Sequence, residues 1–213
     1  MKVITITELK RLLDKPILFD ASIFMIGIKK RATDPNFSFS HLKDVFIQPL
    51  IDSFAKIMIH ADVYDELVDE CKNFLGKYIG NKIVIVDKER NYRIDPQYNR
   101  IFNLISDHEL FRLKTKQREH LGEISSLSYA CLNGINYFCA NDGGALLAVD
   151  EIDALNRVRI LPFDTILLLA YYVHNKKGNK DHNKTLKSLY KEFARRKNRL
   201  PDTFKEYLEL CFK

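Results

Sequence analysis

Four acidic residues stand apart by where they fall in the sequence. Asp20 closes the apolar run Ile17-Leu18-Phe19, and Asp142 follows the apolar run Tyr137 to Ala140 and opens a helix. Ligands of open α/β sheets gather outside the carboxyl ends of the strands. Two neighbouring strands that each end in Asp would therefore bring two carboxylates to one rim. Glu123 shares a helix face with Leu127 and Ala130, four and seven positions on. That face is expected to be buried, where an ionised Glu is costly unless it is paired, hydrogen-bonded or bound to a cation. Glu66 lies three residues after Val63 and next to Leu67, at the edge of an apolar face, from which it can point into a cleft. Crowded carboxylates repel one another, and a divalent cation neutralises them; all-oxygen ligands suit Mg²⁺ or Mn²⁺. Each acid also has a plainer role. A strand-terminal Asp often caps the next helix, and Asp142 is placed for this. Glu66 stands among Asp62, Asp65, Asp69 and Glu70, a run that usually marks a solvated face.

The elements that must position these acids follow from apolar spacing and turn residues. Short apolar runs predict strands over Lys15–Asp20, Lys56–His60, Lys82–Val86, Asn136–Ala140 and Val158–Leu161. Helical spacing predicts helices over Ser22–Lys30, His41–Phe54 and Asp62–Leu75, then Asp95–Glu109, His120–Leu132, Asp142–Val149 and Phe163–Val173. Ser40 is a cap for the second of these and Pro49 a point of kinking or breakage; Asn133-Gly134 stops the fifth. Thr33 to Asn36 is a turn. Beyond a polar linker at His174–Asn183, two amphipathic helices are expected over Lys184–Arg196 and Pro201–Phe212. Strands alternating with helices imply an α/β three-layer sandwich around a mostly parallel sheet. The expected organisation is one such domain over residues 1–173 and a basic helical extension over 174–213.

With 213 residues, 46% hydrophobic and 29% charged, the chain has ordinary soluble globular chemistry and can bury a core without a disulfide or metal staple. Its most apolar run, Thr165 to Val173, is about half of the roughly 20 residues a spanning helix needs. The start MKVITITELKRLL lacks the features of a signal peptide, so the expected location is the cytoplasm. Cys71, Cys131, Cys139 and Cys211 form no C-x-x-C pair and read as reduced thiols. The six histidines show no zinc-ligand spacing. The net charge of +6 is unevenly placed: residues 174–213 hold 12 basic and 5 acidic residues, whereas the other 173 hold 22 and 23. A basic segment appended to a neutral body points to a polyanion such as nucleic acid, although a Lys-rich helix pair is also simply well solvated.

Four segments together carry a family resemblance. ILFDAS, Ile17 to Ser22, resembles the first strand of PIN-domain nucleases, with an Asp and a hydroxyl residue two positions later. VYDEL, Val63 to Leu67, resembles the second motif of that family, with Glu66 as its acid. LGEISSLSYA, Leu121 to Ala130, resembles the third, and YFCANDGGAL, Tyr137 to Leu146, the fourth. The resemblance spans Pro16 to Leu161. Where the family often has Thr or Ser two residues before its fourth acid, Ala140 stands, and Asn141 offers a polar contact instead. The resemblance implies a PIN-like fold and divalent-metal-dependent hydrolysis of RNA, leaving a 5′-phosphate and a 3′-hydroxyl. Asp20, Glu123 and Asp142 would hold Mg²⁺ or Mn²⁺, Glu66 would act as a ligand or orient water, and Ser22 would bond the phosphate or steady a water.

Two basic clusters are further substrate-binding candidates. Arg112, Lys114, Lys116 and Arg118 precede the Glu123 helix; Arg195, Arg196, Lys197 and Arg199 are the densest basic run. Both could follow a phosphate backbone; the first could equally be a solvated charged loop, and the second a surface turn before Pro201 or a dock for an acidic partner protein. A P-loop fails on its glycine spacing, and there is no G-x-G-x-x-G and no G-x-S-x-G elbow. An inactive PIN-like module that binds RNA or a partner protein is the alternative function. The toxin half of a toxin–antitoxin pair, with an antitoxin or regulatory protein as partner, is a further role, and a homodimer is possible.

Overall fold

All five apolar runs expected to be strands are strands, and the described residues between them include a helix in every connection. The computed structural model describes residues 5–26, 38–89, 94–112, 120–141, 143–176, 178, 182–193 and 201–212; the expected turn at 33–36 lies outside them. In chain order the elements begin with α1 (Ile6–Leu12), β1 (Ile17–Phe19), α2 (Ala21–Phe24) and α3 (Phe39–Leu42). A π-helical turn (Lys43–Ile47) leads into α4 (Gln48–Ser53), β2 (Ile57–His60), α5 (Ala61–Glu66), α6 (Asp69–Leu75) and β3 (Ile83–Val86). Next come α7 (Pro96–Ser106), α8 (Glu109–Arg112), α9 (Leu121–Asn133), β4 (Tyr137–Cys139), α10 (Gly143–Glu151) and β5 (Arg159–Leu161). The last helices are α11 (Phe163–Lys176), α12 (His182–Phe193) and α13 (Phe204–Cys211).

The chain divides into two compact units. The sheet unit comprises Pro16–Met25 and Lys56–Leu161. Its five strands are all parallel, in the order β3-β2-β1-β4-β5. Ile17 pairs with Ile57 and Phe19 with Cys139, so β1 is the central strand. All three of its residues are buried, as expected of a parallel strand covered on both faces. Leu18 and Phe138 point to one face, where Ile105, Phe111, Ile124, Leu127, Ala145 and Ala148 form the core with them. Phe19 points the other way and stacks on Phe24 with ring centroids 5.6 Å apart. From β1 the sheet grows through β2 to β3 on one side and through β4 to β5 on the other, so the order reverses between β1 and β4. This is the topological switch point, where open α/β sheets form a crevice.

The helical unit comprises Met1–Lys15, Ile26–Ala55 and Pro162–Lys213. The helix expected from His41 to Phe54 does not stop at Pro49. It is capped by Ser38 rather than Ser40, and it passes through the π-helical turn just before the proline. Proline has no N–H, so the Val45 carbonyl four residues back loses its usual donor. The buried His174 supplies one: its Nε2 lies 2.7 Å from the Val45 oxygen, and its Nδ1 lies 3.1 Å from Nδ1 of His182. A second buried bond joins α13 to α11, where the Tyr207 hydroxyl donates to Asp164 Oδ2 at 3.0 Å. Burial pushes the Asp164 carboxyl up, and this hydrogen bond pulls it part of the way back. Rings of Tyr190, Phe204 and Tyr207 pack around it. All four cysteines are free thiols. Among the described residues, no helix is long and apolar enough to cross a membrane.

Candidate functional site

The crevice at the switch point starts from Asp20. Its backbone is extended and its Oδ2 accepts the Ser22 N–H at 3.0 Å, so Asp20 does cap α2 while its side chain is buried. Ser22 then reaches across to the neighbouring strand: its Oγ accepts the Asn141 N–H at 3.1 Å. The end of β1 is also tied to β4 through the Asp20 N–H, which donates to the Cys139 carbonyl at 2.8 Å. These bonds bring Asp20, Ser22 and Asn141 to one rim. Asp142, next in the chain, lies outside the described residues.

Glu66 arrives from the second crossover. The single helix expected over Asp62–Leu75 is broken, because Leu67 and Val68 turn extended and leave Glu66 as the last residue of α5. The Glu66 Oε1 accepts the Gly122 N–H at 3.1 Å, one of the N–H groups at the start of α9 that have no partner within the helix. Gly122 has to be glycine for this contact. A Cβ there would lie 2.7 Å from Glu66 Oε1 and 2.9 Å from Val63 Cγ2. Glu66 is exposed as a residue, yet its carboxyl is pushed up to about 7. Desolvation is the largest cause and the Asp20 charge the next; the Gly122 N–H opposes them, and the Asp62 charge adds to the rise.

Glu123 is buried with Leu127 and Ala130, the face its spacing predicts. Its Oε2 lies 2.9 Å from His120 Nδ1. His120 precedes α9 with φ of 76°, a left-handed conformation that costs a non-glycine residue about 1–3 kcal/mol and recurs at functional sites.

Sequence reasoning placed Asp62 on a solvated face, but it is buried, and a closed polar ring holds it there. The Ser125 hydroxyl donates to Asp62 Oδ2 at 2.6 Å. The Asp62 N–H donates to His60 Nδ1 at 3.2 Å, which leaves the ring proton on Nε2. That Nε2 faces Asp87 Oδ2 at 3.3 Å and the Tyr98 oxygen at 3.2 Å. The Tyr98 hydroxyl donates to the Ser125 carbonyl at 2.9 Å and completes the ring. His60 has no exposed surface, and Asp87 adopts a φ of 52°. The ring fastens β2, α5, α7 and α9 to one another, and so fixes the helix that carries Glu66. One signal for it was present: Ser125, Ser126 and Ser128 put three hydroxyls on the helix that carries Glu123, and buried hydroxyls need acceptors.

Asp20, Asp62 and Glu66 thus share one electrostatic neighbourhood, and Gly122 brings the start of α9 against it, while the Glu123 carboxyl meets His120. Their all-oxygen character fits a hard divalent cation, whose charge would relieve the crowding that raises Glu66. Among the described residues, no three His, Cys, Asp or Glu donors are already drawn close enough to hold an ion. Of the basic candidates, Arg112 belongs to α8, with its side chain outside the described set; Lys114, Lys116, Arg195 and Arg196 lie outside it altogether. A scan of protein-family models found no match, and neither the curated proteins nor the solved structures yielded a similar chain.

Proposed function

We propose that this protein is a divalent-metal-dependent ribonuclease of the PIN-like kind, with its site at the switch point of the sheet. The observation that carries the reading is the Glu66 carboxyl beside Asp20 and Asp62: burial first, and then the two neighbouring charges, raise it to about 7. A carboxyl shifted by burial together with specific charged neighbours is a candidate functional group. Asp20, Glu123 and Asp142 would hold Mg²⁺ or Mn²⁺. The bound ion supplies the positive charge that acidifies water and offsets charge developing on phosphate oxygens.

The protein's own groups have separate tasks. With Oε1 engaged by Gly122, Glu66 has Oε2 to take a proton from the attacking water. A bound cation would bring this carboxyl down from about 7 and keep it ionised at neutral pH, the form that accepts a proton. Ser22 Oγ already accepts the Asn141 N–H, which directs its own hydrogen toward a phosphate oxygen.

The test is cleavage of an end-labelled structured RNA pool by wild type, Asp20→Asn and Asp142→Asn in Mn²⁺, Mg²⁺ and EDTA. Cuts that need metal and vanish in both variants are the expected result. Metal-independent cutting, or cutting that survives both substitutions, would sink the reading. Salt-sensitive RNA retention without cleavage would point to a binding module.

A further inference from the structure

The helical unit has a cavity of about 450 Å³ between α12 and α13. Lys187 and Lys191, one turn apart on α12, line one side, and Lys205 of α13 lines the other. Asp202 is the acid among the described lining residues. Tyr190 and Phe204 make the floor, and both are buried. Their rings are packed against each other with centroids 5.2 Å apart, so the floor is rigid and offers no open aromatic face for stacking a base. Around that apolar floor the cavity carries three exposed lysines from two helices. Lys205 is shared with Glu209 at 3.8 Å, but its side chain is 83% exposed, and an exposed pair of this kind holds its partner weakly.

We infer that this groove is a phosphate-backbone site for single-stranded RNA, reading charge and spacing rather than base identity. The inference rests on the ribonuclease reading for its choice of polyanion. It is independent of that reading for its location. The groove lies within the basic segment: residues 174–213 carry a net +7, whereas the rest of the chain carries −1. Three lysines are also the right chemistry for the task. Each is a mobile point charge that follows a flexible backbone without demanding one fixed geometry.

The counterion-release relation gives the expected size of the effect. Each phosphate contact on a single strand contributes about 0.7 to the slope of log K against log salt. Loss of three contacts should lower the slope by about 2 and weaken binding on the order of a hundredfold at ~0.1 M salt. The experiment uses the full chain carrying Asp20→Asn, in EDTA, with a 5′-labelled single-stranded RNA oligonucleotide. Anisotropy titrations over a range of KCl compare three forms: lysines intact, Lys187→Gln/Lys191→Gln/Lys205→Gln, and the same positions changed to Arg.

The Gln form should lose the slope and the affinity, and the Arg form should keep both. An unchanged slope in the Gln form, or no RNA binding by the lysine-intact form, overturns the site. So does an acidic peptide that binds more tightly than the RNA, which would make the groove a protein-docking surface. Binding is measured without metal or cleavage, so the two readings fail separately. A lost slope together with a negative cleavage assay keeps the groove and removes the nuclease. Cleavage with an unchanged slope does the reverse.

Discussion

Both units bury ionisable side chains, but they handle them in opposite ways. In the helical unit each buried group has a local structural duty. His174 replaces the donor that Pro49 lacks, and Tyr207 satisfies Asp164. In the sheet unit the buried acids are gathered rather than separated. The Asp62 carboxylate accepts the Ser125 hydroxyl and its N–H donates to His60, yet its charge and that of Asp20 still act on Glu66. The lesson is that burial alone does not mark a functional acid. What marks it is carboxylates brought together without neutralising one another.

The comparison can be broken most forcefully at Gly122. Gly122→Ala places a methyl 2.7 Å from Glu66 Oε1. Cleavage should fall on the order of a hundredfold from displacement of about an ångström, with a stability loss of about 1–3 kcal/mol from overpacking. RNA cleavage rates and urea denaturation read the two effects. A wild-type rate in this variant would remove Glu66 from the site.

A matched pair of hydroxyl deletions sharpens the contrast. Ser125→Ala and Tyr207→Phe each take a donor from a buried carboxylate, and each should cost about 1–3 kcal/mol. Ser125→Ala should also lower cleavage about 10–100-fold, as loss of a supporting bond does beside a metal site, whereas Tyr207→Phe should leave it unchanged. Equal activity in the two variants would erase the distinction between the units.

A smaller effect tests the structural role assigned to His174. His174→Phe leaves the Val45 carbonyl without this donor, and Pro49→Ala restores a backbone N–H in its place. The double variant should recover about 1 kcal/mol relative to the sum of the singles, measured by thermal or urea unfolding. Strict additivity would show that the two residues act separately.

The smallest expected effect is the pH dependence from Glu66. Its carboxyl rises from 4.5 to about 7 on folding, so the folded protein holds this proton more tightly than the unfolded chain. The stabilisation is fully present below about pH 4.5 and is lost as pH rises through 7. In the metal-free protein, Tm should therefore decline over that window, and Glu66→Gln should remove this part of the decline. A variant with the same profile as wild type would mean that the crowding does not reach Glu66.

The sheet was legible because its strands are short apolar runs with polar ends, a local pattern. The burial of Glu123 was legible for the same reason, from Leu127 and Ala130 on its own helix. Helix α1 was missed although Thr5 and Glu8 spell a capping box, which the structure forms at 3.2 and 2.8 Å. Asp62 could not be read locally. Its acidic neighbours continue a helical pattern through Leu67 and Val68, and the break there has no Gly or Pro to announce it. What buries Asp62 is Ser125, 63 positions away, and no period along the chain reports a partner at that distance. The continuation of the helix through Pro49 was hidden for a similar reason, since the donor that reaches the Val45 carbonyl comes from α11.

The central position of β1 also has a consequence for how the chain is made. Phe19 must pair with Cys139, 120 positions later. At roughly 5–20 residues per second, the ribosome delivers that partner about 6–24 s after β1 has been synthesised. Through that interval one edge of the central, fully buried strand is an open template. The sheet unit is completed only when its last third emerges, which makes β1 the segment that a nascent-chain chaperone would have to shield.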